Sequence, residues 1–454
     1  MTDHLDLIRS GFEGMVWPAV PPEPGALLLA LQFQLNQTQW WTPEKLRQAQ
    51  FRHLAGLLRH ARETVPFYRE RLDFDPGVAI TQEWWAALPL LTRADVHAQG
   101  QALCSRNVPA AHAPLVRGHT SGSTGTPITY LTTAITRLFW QAFNLRDQLW
   151  HRRDLGLKFA AIRTEGARDE RGMTVDGWGA SISSAFRSGP SGLLHSSNFI
   201  DRQLQWLTGQ DPDYLLMLPS NMVELGREMG RRGLRLARLR EVRTYGEALS
   251  REARAECQAL FGVKVVDMYT SQEAGYIALQ CPDHDHYHLQ SESVMVEILD
   301  GDGQPCAPGT IGKVVITTLH NYAMPLIRYD IGDYAEAGAP CSCGRGLPVI
   351  RRILGRNRNL LVAPDGRKFF PSTTVDKWIH IAPIRQLQLV QKTRQLIEVR
   401  IAAARALDAG EERDLAAGLR LSLGHPYEFE LVYMERIPRA VSGKFEDFIS
   451  EVGD

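Results

Sequence analysis

The segment from His119 to Pro127 combines hydroxyl groups and glycines in a pattern that suits phosphate binding. Glycine lets the backbone bring its N–H groups close to an anion, and Ser and Thr hydroxyls donate further hydrogen bonds. The G-x-x-x-x-G-K-[ST] spacing of a Walker loop is missing, and the late pair Gly443-Lys444 is followed by Phe445 instead of a hydroxyl residue. Taken alone, the segment also suits an ordinary polar loop. The predicted phosphate contacts are Thr120, Ser121, Gly122, Ser123, Thr124 and Gly125.

Four later segments suit an enzyme that binds ATP and a carboxylate. Tyr245-Gly246-Glu247 follows a predicted strand and would form a turn against a nucleobase. The strand end at 267–273 offers a ring for stacking and a carboxylate for Mg²⁺. An acidic group at 328–333 would accept hydrogen bonds from the hydroxyls of a ribose, and the loop 438–444 carries a lysine. The residues concerned are Met268, Tyr269, Thr270, Ser271, Gln272, Glu273, Asp333 and Lys444.

Cysteine and histidine residues form a second candidate site. The Cys-x-Cys pair Cys341 and Cys343 stands in a turn rich in Pro and Gly, and Cys281 and His288 precede it. Three thiolates and one imidazole make a tetrahedral set that suits structural Zn²⁺ and leaves no position open for catalysis. His284 and His286 compete with His288 for the nitrogen position, and free thiols are the alternative interpretation.

Hydrophobic periodicity predicts the elements that must position these groups. An amphipathic helix over 43–72 is interrupted at Pro66, and a shorter helical pattern covers 84–96. Strands and helices then alternate, which indicates a parallel sheet wrapped by helices, over 214–218, 221–232, 241–245, 250–261 and 264–269. The runs 294–299 and 312–317 are typical of an antiparallel hairpin. After residue 355 we expect strand, helix, two strands and a short helix.

Composition limits the class of protein. The 454 residues suffice for two or three domains, and 51 basic residues balance 51 acidic ones, so no overall field attracts nucleic acid or anionic lipid. No apolar run approaches the length of a membrane span, and the first residues lack the pattern of a signal peptide. Six scattered cysteines do not form a disulfide framework. We therefore expect a cytoplasmic protein whose partners are small molecules, with neither nucleic acid nor membrane among them.

The order of these segments resembles the adenylate-forming superfamily of acyl-coenzyme A synthetases and nonribosomal adenylation domains, and most closely its phenylacetate-coenzyme A ligase branch. The resemblance spans almost the whole chain. Besides the loop after His119, it is carried by the segments 61–69, 88–93, 325–329, 341–345 and 352–356.

The resemblance implies an α/β fold with two domains. A large N-terminal domain, residues 1–355, would combine helix-flanked sheets with a small β-rich part and bind ATP and the acid. A small mobile α+β domain, residues 356–454, would carry the catalytic Lys444 and turn on a hinge at 356–359. Members of the superfamily use the carboxylate of an acid to attack the α-phosphate of ATP, release pyrophosphate and then transfer the acyl group to a thiol. The nucleotide contacts implied also include Gly246, Glu247 and Arg356, and some members carry the Cys and His metal site.

Two positions depart from the family pattern. Gln272 replaces the usual hydroxyl residue before the metal-binding Glu273, and Arg358 replaces an acidic hinge residue. The acid is predicted by analogy to be aromatic, with a pocket near Trp140, Phe143, Phe186, Ser220 and Tyr245. Coenzyme A is the expected acceptor; carrier-protein phosphopantetheine or an amine is an alternative, as is a nucleotide-binding pseudoenzyme. A homodimer is compatible with the resemblance.

Overall fold

The protein is described by a computed structural model that covers residues 4–72, 80–120, 127–164, 169–371, 378, 380–439 and 443–452. Its N-terminal part is helical, with α1 Gly25–Thr38, α2 Pro43–Thr64, α3 Pro66–Arg71, α4 Gln82–Ala87 and α5 Arg93–Gln99. The predicted break at Pro66 is confirmed, because Val65 is extended between two helices. The pattern over 84–96 is two helices and not one. Pro89 stands between them, and Thr92 with Asp95 forms a capping box that begins the second.

A short hairpin and a long helix follow. They are β1 Val116–His119, β2 Thr129–Thr132 and α6 Ala134–Trp150. Thr133 caps α6 by accepting a hydrogen bond from the backbone N–H of Thr136. The capped helix packs its apolar side against α1 in a buried cluster.

A parallel sheet occupies the middle of the chain, as predicted. Its elements are β3 Phe159–Arg163, β4 Met173–Val175, α7 Ala180–Ser183, β5 Ser191–His195, α8 Ile200–Gln210, β6 Tyr214–Met217, α9 Pro219–Arg232, β7 Glu241–Tyr245, α10 Arg251–Phe261 and β8 Lys264–Ser271. Strands β5, β3, β6, β7 and β8 run parallel in that spatial order. The loops at their carboxyl ends therefore meet along one edge of the sheet, where ligands bind in open α/β folds.

Antiparallel strands extend this sheet. They are β9 Gly275–Gln280, β10 Tyr287–Leu289, β11 Val294–Leu299, β12 Ile311–Thr318, β13 Tyr329–Ala337 and β14 Val349–Arg356. The described residues form a twelve-stranded sheet in the order β11-β12-β13-β14-β10-β9-β8-β7-β6-β3-β5-β4. The predicted hairpin is confirmed, with Met295 opposite Thr317.

The C-terminal part has a sheet and a core of its own. Its elements are β15 Leu361–Val362, β16 Lys368–Phe369, β17 Ile384–Gln391, β18 Leu396–Ala403, α11 Ala409–Leu423, β19 Glu428–Tyr433 and β20 Phe448–Ser450. The four longer strands pair in the order β19-β18-β17-β20, and the buried apolar side chains between Leu361 and Phe448 form a separate cluster. The predicted element order was wrong here, because an antiparallel hairpin, β17 with β18, precedes the helix.

No helix in the described ranges is long and apolar enough to cross a lipid bilayer.

Candidate active site

A cavity of about 1880 Å³ lies between the large sheet and the C-terminal part. The turns after β7 and β8 line it, together with Asp333 within β13 and the end of β14, because the sheet brings these segments together. Most of the described residues predicted to bind nucleotide or acid line this single space, namely Thr120, Trp140, Ser220, Tyr245, Gly246, Glu247, Met268, Tyr269, Thr270, Ser271, Gln272, Glu273, Asp333, Arg356 and Lys444.

The ends of the predicted phosphate loop are held together. The backbone N–H of Thr120 donates to the carbonyl of Ile128 at 2.9 Å, and the Thr120 hydroxyl accepts from the Ile128 N–H at 2.9 Å. These bonds continue the ladder of β1 and β2, in which His119 lies opposite Thr129. Ser121, Gly122, Ser123, Thr124 and Gly125 lie outside the described residues, so their phosphate contacts stay a prediction.

A group of charged and phenolic side chains surrounds Glu273, which stands in the tight turn between β8 and β9. The Tyr269 hydroxyl donates to Asp333 at 2.7 Å, and Arg356 Nε lies 3.4 Å from the same carboxylate. Burial, and after it the carboxylate of Glu273, raises the pKa of the Tyr130 hydroxyl. Glu273, Arg356 and Tyr269 thus bring a carboxylate, a cation and a phenol to one wall of the cavity.

Lys444 reaches the same cavity from the C-terminal part. We call residues 438–445 the lysine loop; residues 440–442 within it lie outside the described part of the chain. A Cβ built on Gly246 would lie 3.8 Å from Lys444 Nζ, so the amino group passes over this turn. Gly246 has φ +77°, which also favours glycine. Burial, followed by the guanidinium of Arg356, lowers the pKa of Lys444. Carboxylates oppose that shift, those of Glu247, Asp333 and Glu446.

Glu247 fastens the lysine loop to the large sheet. Its carboxylate accepts hydrogen bonds from the Ser220 N–H at 2.8 Å and from the Ser220 hydroxyl at 3.0 Å, at the start of α9. The same carboxylate accepts from the Phe445 N–H at 2.7 Å. A carboxylate is favoured at a helix N-terminus by the orientation of its free N–H groups. Glu247 was predicted as a nucleotide contact, and in this arrangement both of its oxygens already accept hydrogen bonds within the protein.

Arg439 makes a second connection between the two parts. Its guanidinium lies 3.0 Å from the Glu224 carboxylate on α9 and also donates to the Ser220 hydroxyl. Gly443 is inserted close to the sheet, since a Cβ there would lie 2.8 Å from Thr164 Cγ2. Sequence reasoning did not assign a role to Arg439 or Glu224, because neither residue stands in a pattern that reveals its partner.

The predicted hinge carries a third set of contacts. Arg358, which departs from the acidic family pattern, forms an ion pair with Glu446, two residues after Lys444. Asn359 donates to the carbonyl of Phe448 at 2.7 Å and accepts from the backbone N–H of Arg356 at 2.9 Å. The positive charge at 358 therefore has an acidic partner in the segment that follows Lys444.

The suspected acid-binding residues divide into two groups. Trp140, which is 38% exposed, lines the cavity and lies with its ring centroid 4.9 Å from that of Tyr276. Ser220 and Tyr245 line it as well. Phe143 and Phe186 are buried in the core cluster between α1 and α6 and are not among the residues that line the cavity.

The predicted metal ligands meet at the ends of β9, β10 and β14. Cys281 Sγ lies 3.9 Å from Cys341 Sγ, and Cys343 Sγ lies 3.4 Å from His288 Nε2. A tetrahedron with Zn–S bonds of about 2.3 Å has edges of about 3.8 Å, so both distances suit one ion. His288 Nδ1 lies 3.3 Å from the Leu347 carbonyl, an orienting contact typical of metal-bound imidazole.

His286 also belongs to this cluster, although the sequence pattern offered it only as an alternative to His288 for the nitrogen ligand. The ligand atoms of Cys281, His286, His288 and Cys341 all lie within 4.8 Å of one another. His286 Nε2 is buried and has no hydrogen-bond partner among the described residues. His284 is exposed and contacts Ser342 at 3.0 Å instead. The cluster therefore offers five candidate ligands for four positions.

Solved structures with the same architecture identify the class. A 2-hydroxyisobutyryl-CoA ligase in the postadenylation state, in complex with 2-HIB-AMP, superimposes with a TM-score of 0.71 at 19% identity, and 97% of each chain is covered. The same ligase with 2-HIB-AMP and CoA in the thioesterification state gives a TM-score of 0.57 over 89% of each chain. The fold is that of the adenylate-forming CoA ligases.

Curated relatives point to one branch of that class. A phenylacetate-coenzyme A ligase of Thermus thermophilus is 26% identical over 346 residues, which are 70% of this chain and 72% of that protein. A phenylacetate-coenzyme A ligase of Pseudomonas putida is 25% identical over 398 residues, 82% of this chain and 85% of that protein. No protein-family profile matches the chain. The resemblance that the sequence carries is confirmed: the chain is a homologue of phenylacetate-coenzyme A ligases.

Proposed function

We propose that this chain is an AMP-forming acid–thiol ligase that activates a carboxylic acid with ATP and transfers the acyl group to coenzyme A. The observation that supports it most directly is Lys444, which extends from the C-terminal part into the cavity that Glu273, Asp333 and Arg356 line. The chain is a homologue of such ligases, and its cavity brings the Lys444 ammonium close to carboxylates, which are the groups that adenylation needs.

In the first step the acid's carboxylate would attack the α-phosphate of ATP while pyrophosphate leaves. Negative charge grows on the phosphoryl oxygens, and the Lys444 ammonium and the donors of the loop after His119 would stabilise it. Glu273 is the residue that would hold Mg²⁺, which neutralises phosphate charge when bound. Tyr269 and Arg356 hold the Asp333 carboxylate, which would accept hydrogen bonds from the ribose hydroxyls.

In the second step a thiol attacks the acyl-adenylate. We propose that the chain divides at residues 355 and 356, because the C-terminal core shares no member with the other clusters. Rotation about the 356–359 segment would remove Lys444 and open a path for coenzyme A. A carrier-protein thiol or an amine is the alternative acceptor, and a cytoplasmic location and a homodimer stay predictions.

The exchange of labelled pyrophosphate into ATP tests the first step. We expect exchange with at least one of a panel of aryl, fatty and amino acids, and thioester formation when coenzyme A is added. Lys444→Ala should lower the exchange rate by more than about 100-fold, on the order of 3 kcal/mol. It should leave thioester formation from a supplied acyl-adenylate largely intact.

Lys392→Ala is the matched control, because this lysine pairs with Glu451 on the C-terminal sheet. It should leave both half-reactions unchanged. Nucleotide binding without exchange for any acid would favour the pseudoenzyme instead. Acyl transfer to phosphopantetheinylated carrier protein, with none to free coenzyme A, would favour the alternative acceptor.

We also propose that Cys281, His288, Cys341 and Cys343 hold a structural Zn²⁺ ion. Closed coordination by four protein ligands would pin the β9–β10 and β13–β14 connections together without taking part in catalysis. The purified protein should contain about one zinc per chain, measured by elemental analysis. Cys341→Ser should abolish the zinc and lower the melting temperature, whereas Cys306→Ser, a cysteine outside the cluster, should do neither. The zinc content of the His286→Gln and Cys343→Ser variants decides which of the two residues is the fourth ligand.

A further inference from the structure

One end of the cavity is lined by polar side chains that the adenylation chemistry does not use. Trp140, Asn144 and Gln148 follow each other at intervals of four residues on α6, so they share the helix face that lines the cavity. Arg243 precedes Tyr245 by two residues on β7, so both side chains stand on one face of the sheet. An acid that fills this end would meet amide and guanidinium groups.

Arg243 is the most unusual of these side chains. The residue is only 3% exposed, yet it lines the cavity. Its Nη2 donates to the Asp147 carboxylate at 2.5 Å, and its Nε has no hydrogen-bond partner among the described residues. The Asp147 carboxylate engages Nη2, but a guanidinium carries N–H groups on all three of its nitrogens, so this cavity-lining side chain can also donate to a ligand oxygen.

The charge of Arg243 is already balanced inside the protein. Asp147 also accepts from Arg153 at 2.8 Å, and Arg153 donates to Glu241 at 2.6 Å. The buried group therefore contains two guanidinium cations and two carboxylates. A neutral oxygen would complete its hydrogen bonds without adding an unbalanced charge.

Aromatic side chains form the walls beside this polar end. Trp140 packs near Tyr276, and the ring centroids of Phe159 and Trp178 are 5.4 Å apart. All four residues line the cavity. Arg243 and Gly246 are three residues apart on the chain, which corresponds to roughly 10 Å along an extended strand. The turn beneath Lys444 and the polar end are thus separated by about the length of a substituted aryl acid.

We infer that the substrate is an aryl acid with an uncharged hydrogen-bond acceptor, a hydroxyl or carbonyl oxygen, at the end remote from its carboxylate, and that Arg243 donates to this oxygen. The inference rests on the proposed function, since it concerns the acid that is adenylated. Arg243 would be a specificity residue for this reaction. An acid without the acceptor would leave the guanidinium N–H unpaired, and sites built to bond a hydroxyl reject such analogues strongly.

Matched acids that differ by one substituent test the inference. Pyrophosphate exchange is measured with phenylacetate, 4-hydroxyphenylacetate and 4-carboxyphenylacetate, and with benzoate and its 3- and 4-hydroxy forms. We expect kcat/KM at least tenfold higher for the hydroxylated member of at least one pair than for its unsubstituted partner. Arg243→Met should reduce this preference to less than threefold, chiefly by slowing the hydroxylated acid.

Arg243→Lys is a second variant for the case in which Arg243→Met does not fold, because lysine keeps a cation beside Asp147. Thermal unfolding verifies its fold, and its preference should fall at least threefold. Equal or better activity with the unsubstituted acids would overturn the inference, as would a preference for 4-carboxyphenylacetate or an unchanged preference in a folded Arg243 variant. Absence of exchange with any acid in a wider panel would instead contradict the proposed function.

Discussion

Two sets of ion pairs border the cavity and differ in what surrounds them. At its polar end, Asp147, Arg153 and Arg243 are almost completely buried, although Arg243 still lines the cavity. At the junction with the C-terminal part, Arg439 with Glu224 and Arg358 with Glu446 remain partly open to solvent. Removing one member of an enclosed pair leaves a charge without water, whereas a junction charge is hydrated as soon as its partner leaves.

This difference matches what each region has to do. The proposed substrate pocket needs a fixed shape, and the buried ion pairs would provide it because separating them in the folded state is too costly. The lysine loop has to leave and return during each turnover of the proposed reaction. Partly exposed ion pairs, each worth about 1 kcal/mol, would hold the loop and still let it leave.

The largest effect is expected from Asp147→Asn. The change leaves Arg153 and Arg243 without their shared carboxylate, and we expect the free energy of unfolding to fall by about 3 kcal/mol. Asp201→Asn is the matched control, because Asp201 pairs with Arg232 and its side chain is 75% exposed. Its expected cost is less than about 1 kcal/mol. Denaturant unfolding measures both; equal losses would remove the distinction between the two regions.

The next effect is expected from pH, through two buried histidines, of which His151 lies 3.6 Å from Asp147 in the buried set of ion pairs. Burial, followed by nearby Arg153, lowers the pKa of His151 to about 3, and burial followed by His53 lowers that of His320 to about 4. Both imidazoles are neutral in the folded protein and bind protons in the unfolded chain below pH 6.5. Stability should therefore be constant above that pH and decline as the pH falls towards 4, by up to about 1.4 kcal/mol per pH unit for each histidine.

Unfolding midpoints measured between pH 8 and pH 4 test this expectation. His320→Gln should reduce the slope below pH 6.5, and His425→Gln, near the end of α11, should leave it unchanged. A slope in the His320→Gln protein equal to that of the parent would contradict the assignment. Asp147 adds a loss only at lower pH. Burial opposes ionisation of its carboxylate, but Arg153 and Arg243 outweigh burial and lower its pKa to about 2, so its contribution to stability is lost as the pH falls from about 4 to about 2.

The smallest effect is expected from Arg439→Gln. Loss of its contacts with Glu224 and Ser220 should weaken docking of the lysine loop by about 1 kcal/mol, which lowers the adenylation rate by roughly fivefold. Thioester formation from a supplied acyl-adenylate should not slow. Glu224→Gln should have a similar effect, and the two changes together should cost little more than either one. Arg413→Gln, exposed on α11, provides the control.

Much of the fold was predictable because its signals are local. The alternation of strands and helices from β6 to β8 follows from the spacing of apolar residues, which recur every second residue in a strand and about every 3.6 residues in a helix. The order of motifs also predicted that the phosphate-loop end at Thr120, the turn at Glu273 and Lys444 would share a site, and the cavity includes all three.

The remaining features depend on contacts between distant segments. Trp140 and Phe143 are both aromatic residues of α6, and only the packed structure separates the cavity face from the core face. The hydrogen bonds of Glu247 to Ser220 and Phe445 join three segments that share no pattern. Whether Cys343 or His286 completes the metal cluster depends on loop geometry for the same reason.

The separate core of the C-terminal part has a consequence for substrate traffic. Among the described residues, the buried C-terminal cluster shares no member with the other clusters, so the rotation we propose would break hydrogen bonds and ion pairs and leave each core intact. The proposed reaction would therefore need no tunnel through the protein: nucleotide and acid would enter before the C-terminal part closes the cavity, and a bulky thioester would leave when that part moves away.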